Sequence, residues 1–180
     1  MRRLMLLRHA KTEPDAASGR DQDRRLDDRG QADAAEIGYF ISRHPPVPDL
    51  VLVSTAVRAH QTWEIVQDAM TDSGLKARVE LMPELYGADS PQLLRTIHAA
   101  SRSDPNTLMV VGHNPGLHEL ALMLAGSGDA DARKALSDNL PTSGLAVMDF
   151  AVDDWDDVAF RRGELMLFVS PKLLKQASGG

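Results

Sequence analysis

Three short polar stretches carry side chains suited to handling an oxyanion: Arg8-His9, Ser54-Thr55 with Arg58 just beyond, and Gly112-His113-Asn114. Two guanidiniums can grip a phosphate through bidentate, charge-assisted hydrogen bonds. A neutral imidazole is a competent phosphoryl acceptor near pH 7, and a second, protonated imidazole can stabilise charge on the transferring group. Asn114-Pro115 reads as a helix cap and first turn, which would add unpaired N–H groups and a favourable dipole for an anion. Phosphoryl transfer rests mostly on positioning and electrostatics. The set therefore calls for no metal and no cofactor.

The elements that must position these residues are short apolar runs alternating with amphipathic segments. Leu4 to Leu7 reads as a buried strand ending at Arg8-His9, Leu50 to Val53 as a second ending at Ser54-Thr55, and Val79 to Met82 as a third. Leu108 to Val111, a fourth strand, runs into Gly112-His113-Asn114. Ala34, Ile37, Gly38 and Ile41 have helical spacing, with Asp27 as N-cap. Further helices are expected from about Ala56 to near Gly74, from a Ser90-Pro91 cap through Leu93, Leu94 and Ile97, and over Leu117, Leu120, Ala121 and Leu124. Two late strands, Leu145 to Phe150 and Glu164 to Val169, flank an acidic turn at Asp153 to Asp157 and are expected as antiparallel edge strands. The pattern predicts an α/β fold, a single-domain sandwich with a largely parallel central sheet flanked by helices. One domain is expected over residues 1–175, with the last ten residues frayed and 176–180 a tail. In such sheets ligands bind at the carboxyl ends of the strands, where Arg8, His9, Arg58 and His113 fall.

Composition narrows the partners. The net charge of −6 supports solubility and argues against nucleic acid as a bulk partner. An anion site in such a chain needs local positive charge, which the two Arg supply. The sequence has no Cys, which excludes disulfides, thiolate metal sites and cysteine catalysis. Arg2-Arg3 before an apolar run imitates a signal peptide, but the run stops at Arg8. No apolar stretch approaches the roughly 20 residues that cross a bilayer. A soluble, cytoplasmic protein without a membrane partner is expected; the oligomeric state is open.

The motifs together resemble those of a known family. Leu7-Arg8-His9-Ala10 is similar to the Arg-His-Gly signature of the histidine phosphatase superfamily. Ser54 to Thr62 resembles its Ser-Pro-x-x-Arg-Ala-x-Gln-Thr segment, and Val111 to Gly116 its second-histidine motif. Leu26-Asp27-Asp28-Arg29-Gly30 resembles the Leu-x-x-x-Gly helix entry. Arg8-His9-Ala10-Lys11, Gly112 to Gly116 and Leu140-Pro141-Thr142-Ser143 most resemble the small phosphohistidine phosphatase, or SixA-like, branch. The resemblance spans residues 4 to about 170. It implies a phosphoglycerate-mutase-like fold, phosphorylation of His9, and phosphate binding by Arg8, Arg58 and His113. Asn114, from its place at a helix start, is read with them as phosphate-binding. Two positions depart from the pattern. Ala10 stands for Gly and must keep a negative φ; Thr55 stands for Pro and removes no functional group.

Glu84, in Pro83-Glu84-Leu85-Tyr86-Gly87, follows the third strand, where many superfamily members carry an acid/base carboxylate. It is read either as a catalytic acid or as a surface residue, because the phosphohistidine branch often manages without a proton donor. His44, His60 and His98 are read as structural. His113, His118 and Glu119 lack the spacing of a His-Glu-x-x-His zinc site. Asp21, Asp23, Arg24 and Arg25 form a charged first loop over the pocket, solvated or touching substrate. The resulting expectation is a metal-independent phosphatase with a covalent phosphohistidine intermediate. Its substrate would be a phosphorylated signalling protein or a small phosphomonoester. A phosphate-binding module without turnover is the alternative from another class.

Overall fold

The computed structural model describes residues 1–70 and 76–179. Seven strands form one sheet in the order β3-β2-β4-β1-β6-β7-β5: β1 (Arg2–Arg8), β2 (Leu50–Ser54), β3 (Arg78–Met82), β4 (Thr107–Gly112), β5 (Ala125–Gly128), β6 (Leu145–Phe150) and β7 (Gly163–Val169). The helices are α1 (Asp28–Arg43), α2 (Val57–Ala69), α3 (Ser90–Ala99), α4 (Gly116–Leu124), α5 (Ala130–Asp138) and α6 (Pro171–Ser178).

The continuous apolar runs become central strands because both of their faces are covered. Leu4 and Leu6 of β1, Leu50 and Leu52 of β2, and Leu108 and Val110 of β4 point to one face, where Leu93 and Ile97 of α3 and Leu117, Leu120 and Leu124 of α4 bury them. The alternate residues, Met5, Leu7, Val51, Val53, Met109 and Val111, meet Ala34, Ile37 and Ile41 of α1 and Ala59, Trp63 and Val66 of α2 on the other. Two cores thus sandwich one sheet, as the α/β reading expects. Truncating a fully buried residue such as Leu6 to Ala would cost about 2–5 kcal/mol.

β3, β2, β4 and β1 run parallel, so their carboxyl ends share one edge. β6 lies antiparallel between β1 and β7. The late pair is therefore interior to the sheet rather than its edge. β5, parallel to β7, closes that side. Its sequence, Ala125-Gly126-Ser127-Gly128, has no apolar alternation to mark a strand. α5, capped by Asp129, is not among the expected helices.

Helix starts show the local logic. Asp27 caps α1 as expected, its carboxylate accepting the Gly30 N–H at 2.7 Å, an arrangement worth about 1 kcal/mol. Gly30 is needed there because a Cβ would fall 2.0 Å from the Lys11 carbonyl oxygen. That close approach presses α1 against the chain leaving β1. α3 begins one residue earlier than Ser90 suggests: Asp89 is the N-cap, in a reciprocal capping box with Gln92. α2 runs to Ala69, and its expected end near Gly74 lies outside the described residues. At the other terminus the last ten residues do not simply fray. Pro171–Ser178 form a helix capped by the Ser170 hydroxyl and half-buried along Leu173 and Leu174. No helix of the described residues is long and apolar enough to cross a membrane.

Candidate active site

Strand pairing places the two motif histidines side by side. Arg8 of β1 is in register with Gly112 of β4, and the His9 N–H donates to the Gly112 carbonyl at 3.1 Å. The His9 and His113 rings sit 5.2 Å apart, centroid to centroid. His9 is buried, with 7 % of its surface exposed, and so is Arg58 in the first turn of α2.

Each group is held by named bonds. His9 Nδ1 lies 2.8 Å from the Ala10 carbonyl oxygen. A carbonyl only accepts, so the proton is on Nδ1 and Nε2 keeps a bare lone pair. Burial, reinforced by the charges of His113, Arg58 and Arg8, pushes the His9 pKa down to about 3. His113 Nε2 is 2.7 Å from the Ser54 hydroxyl, and its Nδ1 is buried without a protein partner. Burial and then Arg58 lower its pKa to about 4, with Asp21 opposing. His113 is therefore neutral near pH 7, not the protonated imidazole that the sequence suggested. A neutral ring with its proton on Nδ1 still donates a hydrogen bond, and a bound dianion would raise its basicity.

Arg8 donates from Nη1 to the Leu140 carbonyl at 3.2 Å while its buried Nε has no partner. Burial and the neighbouring Arg58 lower its pKa, yet a guanidinium stays charged near neutrality. The segment after Leu140 clamps this strand end. The Ser143 N–H reaches the carbonyls of both Arg8 and His9, at 3.2 and 3.1 Å, and Ser143 takes a left-handed φ of 59° to do so. Backbone strain of that kind costs about 1–3 kcal/mol and persists where the surroundings over-determine it. Thr62 ties α2 to the same place: its hydroxyl accepts the Ala10 N–H at 2.9 Å and donates to the Arg58 carbonyl at 2.7 Å. Gln61 Oε1 accepts the Leu26 N–H. Ala10 stays out of the positive-φ region, as its replacement of Gly requires.

Asn114 has a different place from the one expected. Its amide donates to the Leu140 carbonyl at 2.8 Å and its Oδ1 accepts the His118 N–H at 3.2 Å. The side chain therefore braces the loop and the start of α4, whose N-cap is Pro115. Glu84 is exposed in the turn Pro83–Leu85, and no hydrogen bond, ion pair or ring contact of the described residues joins it to the four basic groups. Two residues on, Tyr86 does reach them. Its ring meets His113 edge-on at 5.6 Å and lies 5.8 Å from the Arg58 guanidinium.

Tyr86 also donates at 2.7 Å to Asp21 Oδ2, and Arg58 donates to the same carboxylate oxygen and to the Asp21 carbonyl, at 3.0 and 2.8 Å. Tyr86 first, then Arg58 and Arg24, hold the Asp21 carboxyl below its ordinary range. Asp21 and Tyr86 are the residues that motif reading undervalued. The available signals were an isolated Tyr before Gly at a strand-end loop and an acid among basic residues in the first loop. The remaining histidines are engaged elsewhere: His118 Nε2 donates to Leu136, His98 Nε2 to Val158 and His44 Nδ1 to Phe40 carbonyls, and His60 pairs with Glu64. Among the described residues no group of three His, Cys, Asp or Glu side chains is arranged to hold a metal ion.

Fold and cluster define a class: an α/β protein gathering two guanidiniums and two neutral imidazoles at the carboxyl edge of a parallel sheet. Residues 4–90 match the family model of the histidine phosphatase superfamily, branch 1. An uncharacterized protein of Mycobacterium leprae is 36 % identical over 172 residues, covering 92 % of this chain and all of that one. A structure from Agrobacterium tumefaciens, provisionally assigned as the phosphohistidine phosphatase SixA, is 34 % identical with a TM-score of 0.74, over 94 % of this chain and 99 % of its own. One from Nakamurella multipartitia with the same provisional assignment is 30 % identical with a TM-score of 0.79, over 94 % and 96 %. The chain belongs to the histidine phosphatase superfamily, a superfamily of phosphatases, and is SixA-like within it.

Proposed function

We propose that this protein is a metal-independent phosphatase that removes phosphate from phosphohistidine on a cytoplasmic signalling protein, through a covalent intermediate on His9. The observation that carries the reading is the His9 tautomer: Nδ1–H is committed to the Ala10 carbonyl, and Nε2 is a bare, unprotonated nitrogen beside two guanidiniums. Nε2 attacks phosphorus in line as the bond from phosphorus to the leaving group breaks. Arg8, Arg58 and the free Nδ1 of His113 hold the equatorial oxygens. Water then attacks the phosphorylated His9, giving inorganic phosphate and neutral imidazole.

The choice of substrate rests on what the cluster lacks. Asp21, the carboxylate bonded into it, is held ionised and is a poor acid, and Glu84 is exposed and unlinked. An alkoxide leaving group needs a proton donor. A phosphoimidazole protonated on its second nitrogen departs as neutral imidazole and needs none from the enzyme. The similarity to structures provisionally assigned as phosphohistidine phosphatases points the same way.

The test is a substrate panel assayed in excess chelator: a phosphohistidine protein, an aryl phosphate, and several alkyl and sugar phosphates. Turnover of the first two with little of the rest is expected. Preference for an alkyl phosphate would move the protein to the small-molecule phosphomonoesterases. Binding without turnover of any ester would make it a phosphate-binding module. Loss of activity restored by Zn²⁺ or Mg²⁺ would reject metal independence.

A further inference from the structure

A groove opens beside the candidate site, on the face of the sheet covered by α1 and α6. β7 is antiparallel to β6, which is antiparallel to β1, so β7 ends at the same edge as His9. Two cavities meet there and share Arg29, Asp33 and Pro171. The inner one, about 220 Å³, is lined by Lys11, two residues past His9, and by Pro141 and Thr142, next to the Leu140 carbonyl that holds Arg8. The outer one, about 460 Å³, runs on between α1 and α6 past Glu36 and Lys175.

The charge along this groove runs against that of the molecule. Overall the chain carries −6, yet Lys11, Arg29, Lys172 and Lys175 line the two cavities against only Asp33 and Glu36. Arg29 faces Asp33 at 3.8 Å, while among the described residues no ion pair engages the three lysines. Asp33 is a second feature: its side chain is only 8 % exposed, and 3.8 Å is longer than a hydrogen bond. It is a largely buried carboxylate that lines both cavities. Ala32, Pro171 and Leu174 supply apolar floor.

We infer that this groove docks an acidic polypeptide segment of the phosphoprotein substrate, aligning the phosphohistidine with His9. The inference rests on the phosphoprotein reading above. The lysines suit Asp and Glu side chains, Asp33 suits a backbone or side-chain N–H, and the floor suits aliphatic groups. A nucleic acid would gain from the lysines but not from the floor, and Asp33 and Glu36 would repel its phosphates.

Lys172 and Lys175 are exposed on α6, so K172E/K175E reverses two of the groove's positive charges without touching the core or the cluster. A short labelled peptide rich in Asp and Glu is titrated into the full chain with vanadate filling the candidate site. Saturable binding is expected, weakened about tenfold or more in the variant at low salt. The difference should shrink as added salt brings the Debye length from about 10 Å towards about 3 Å. In turnover, the variant should raise KM for a phosphohistidine protein with kcat, and aryl phosphate hydrolysis, unchanged. Equal peptide binding by both proteins, no binding at all, or an oligonucleotide that outcompetes the peptide would overturn the docking site. If the wild type turns over aryl phosphate but no phosphohistidine protein, the substrate reading fails, and the peptide titration still judges the groove.

Discussion

The ends of β1 and β4 carry the same side chain in neighbouring registers and give it opposite preparation. His9 faces a carbonyl, which fixes its proton on Nδ1 and leaves Nε2 as an electron pair. His113 faces the Ser54 hydroxyl, which can donate as well as accept. With Ser54 donating, the His113 proton moves to Nδ1, the buried atom that has no protein partner. On the proposed reading one ring is the nucleophile and its neighbour a hydrogen-bond donor. The difference lies in a single partner atom each, not in burial, since both rings are largely enclosed and both have strongly lowered pKa values.

This contrast is open to attack at both rings. His9→Ala removes the acceptor nitrogen and should lower kcat on an aryl phosphate by roughly 10⁴-fold or more. His113→Ala removes a donor and should cost about 10²- to 10³-fold, leaving measurable turnover. Equal losses would dissolve the distinction. Ser54→Ala, a near-isosteric change at a buried position, leaves the His113 tautomer unfixed and should cost about tenfold, less than losing the donor outright. A change at Ser54 as large as His113→Ala would instead give the hydroxyl a direct role.

A milder prediction concerns protons. The folded pKa values of about 3 and about 4 lie below the 6.5 of an unconstrained imidazole. Between those limits the unfolded chain binds protons that the folded chain refuses, so this contribution to stability is complete above pH 6.5 and is lost as pH falls towards 4 and 3. NMR titration should find both rings neutral from pH 8 to about 5, with unfolding free energy declining over the acid side of that range. A ring titrating near 6.5 would contradict the burial argument. The smallest effect is expected at Glu84. Glu84→Gln should change turnover of both a phosphohistidine protein and an aryl phosphate by less than about twofold, against the 10²- to 10⁴-fold of a working general acid.

What the sequence reveals follows the strength of local constraint. β1, β2 and β4 are legible because both faces are buried over residues 4–7, 50–53 and 108–111, where every residue is apolar. β5 is not, because two Gly, an Ala and a Ser hold their place through pairing with β7 alone. α6 hides among Lys, Gln and Ser near the chain end, and only its Ser170 cap and half-buried Leu173 and Leu174 reveal it. Arg8, His9, Arg58 and His113 are legible because each sits at or just past the end of an apolar strand. The Asp21–Tyr86 bond joins loops 65 positions apart and answers to no period or offset. Asn114 shows what residue type alone leaves out, since its amide also donates to Leu140 and its Oδ1 accepts from His118.

The central claim is that Nε2 of His9 takes the phosphoryl group, and trapping that adduct tests it most directly. Wild-type protein denatured during turnover of an aryl phosphate should carry an acid-labile, base-stable phosphate. Mass spectrometry and ³¹P NMR should place it on Nε2 of His9, and it should be absent from the His9→Ala variant. Phosphate on His113, on a Ser or on an Asp, or undiminished turnover in His9→Ala, would contradict the account.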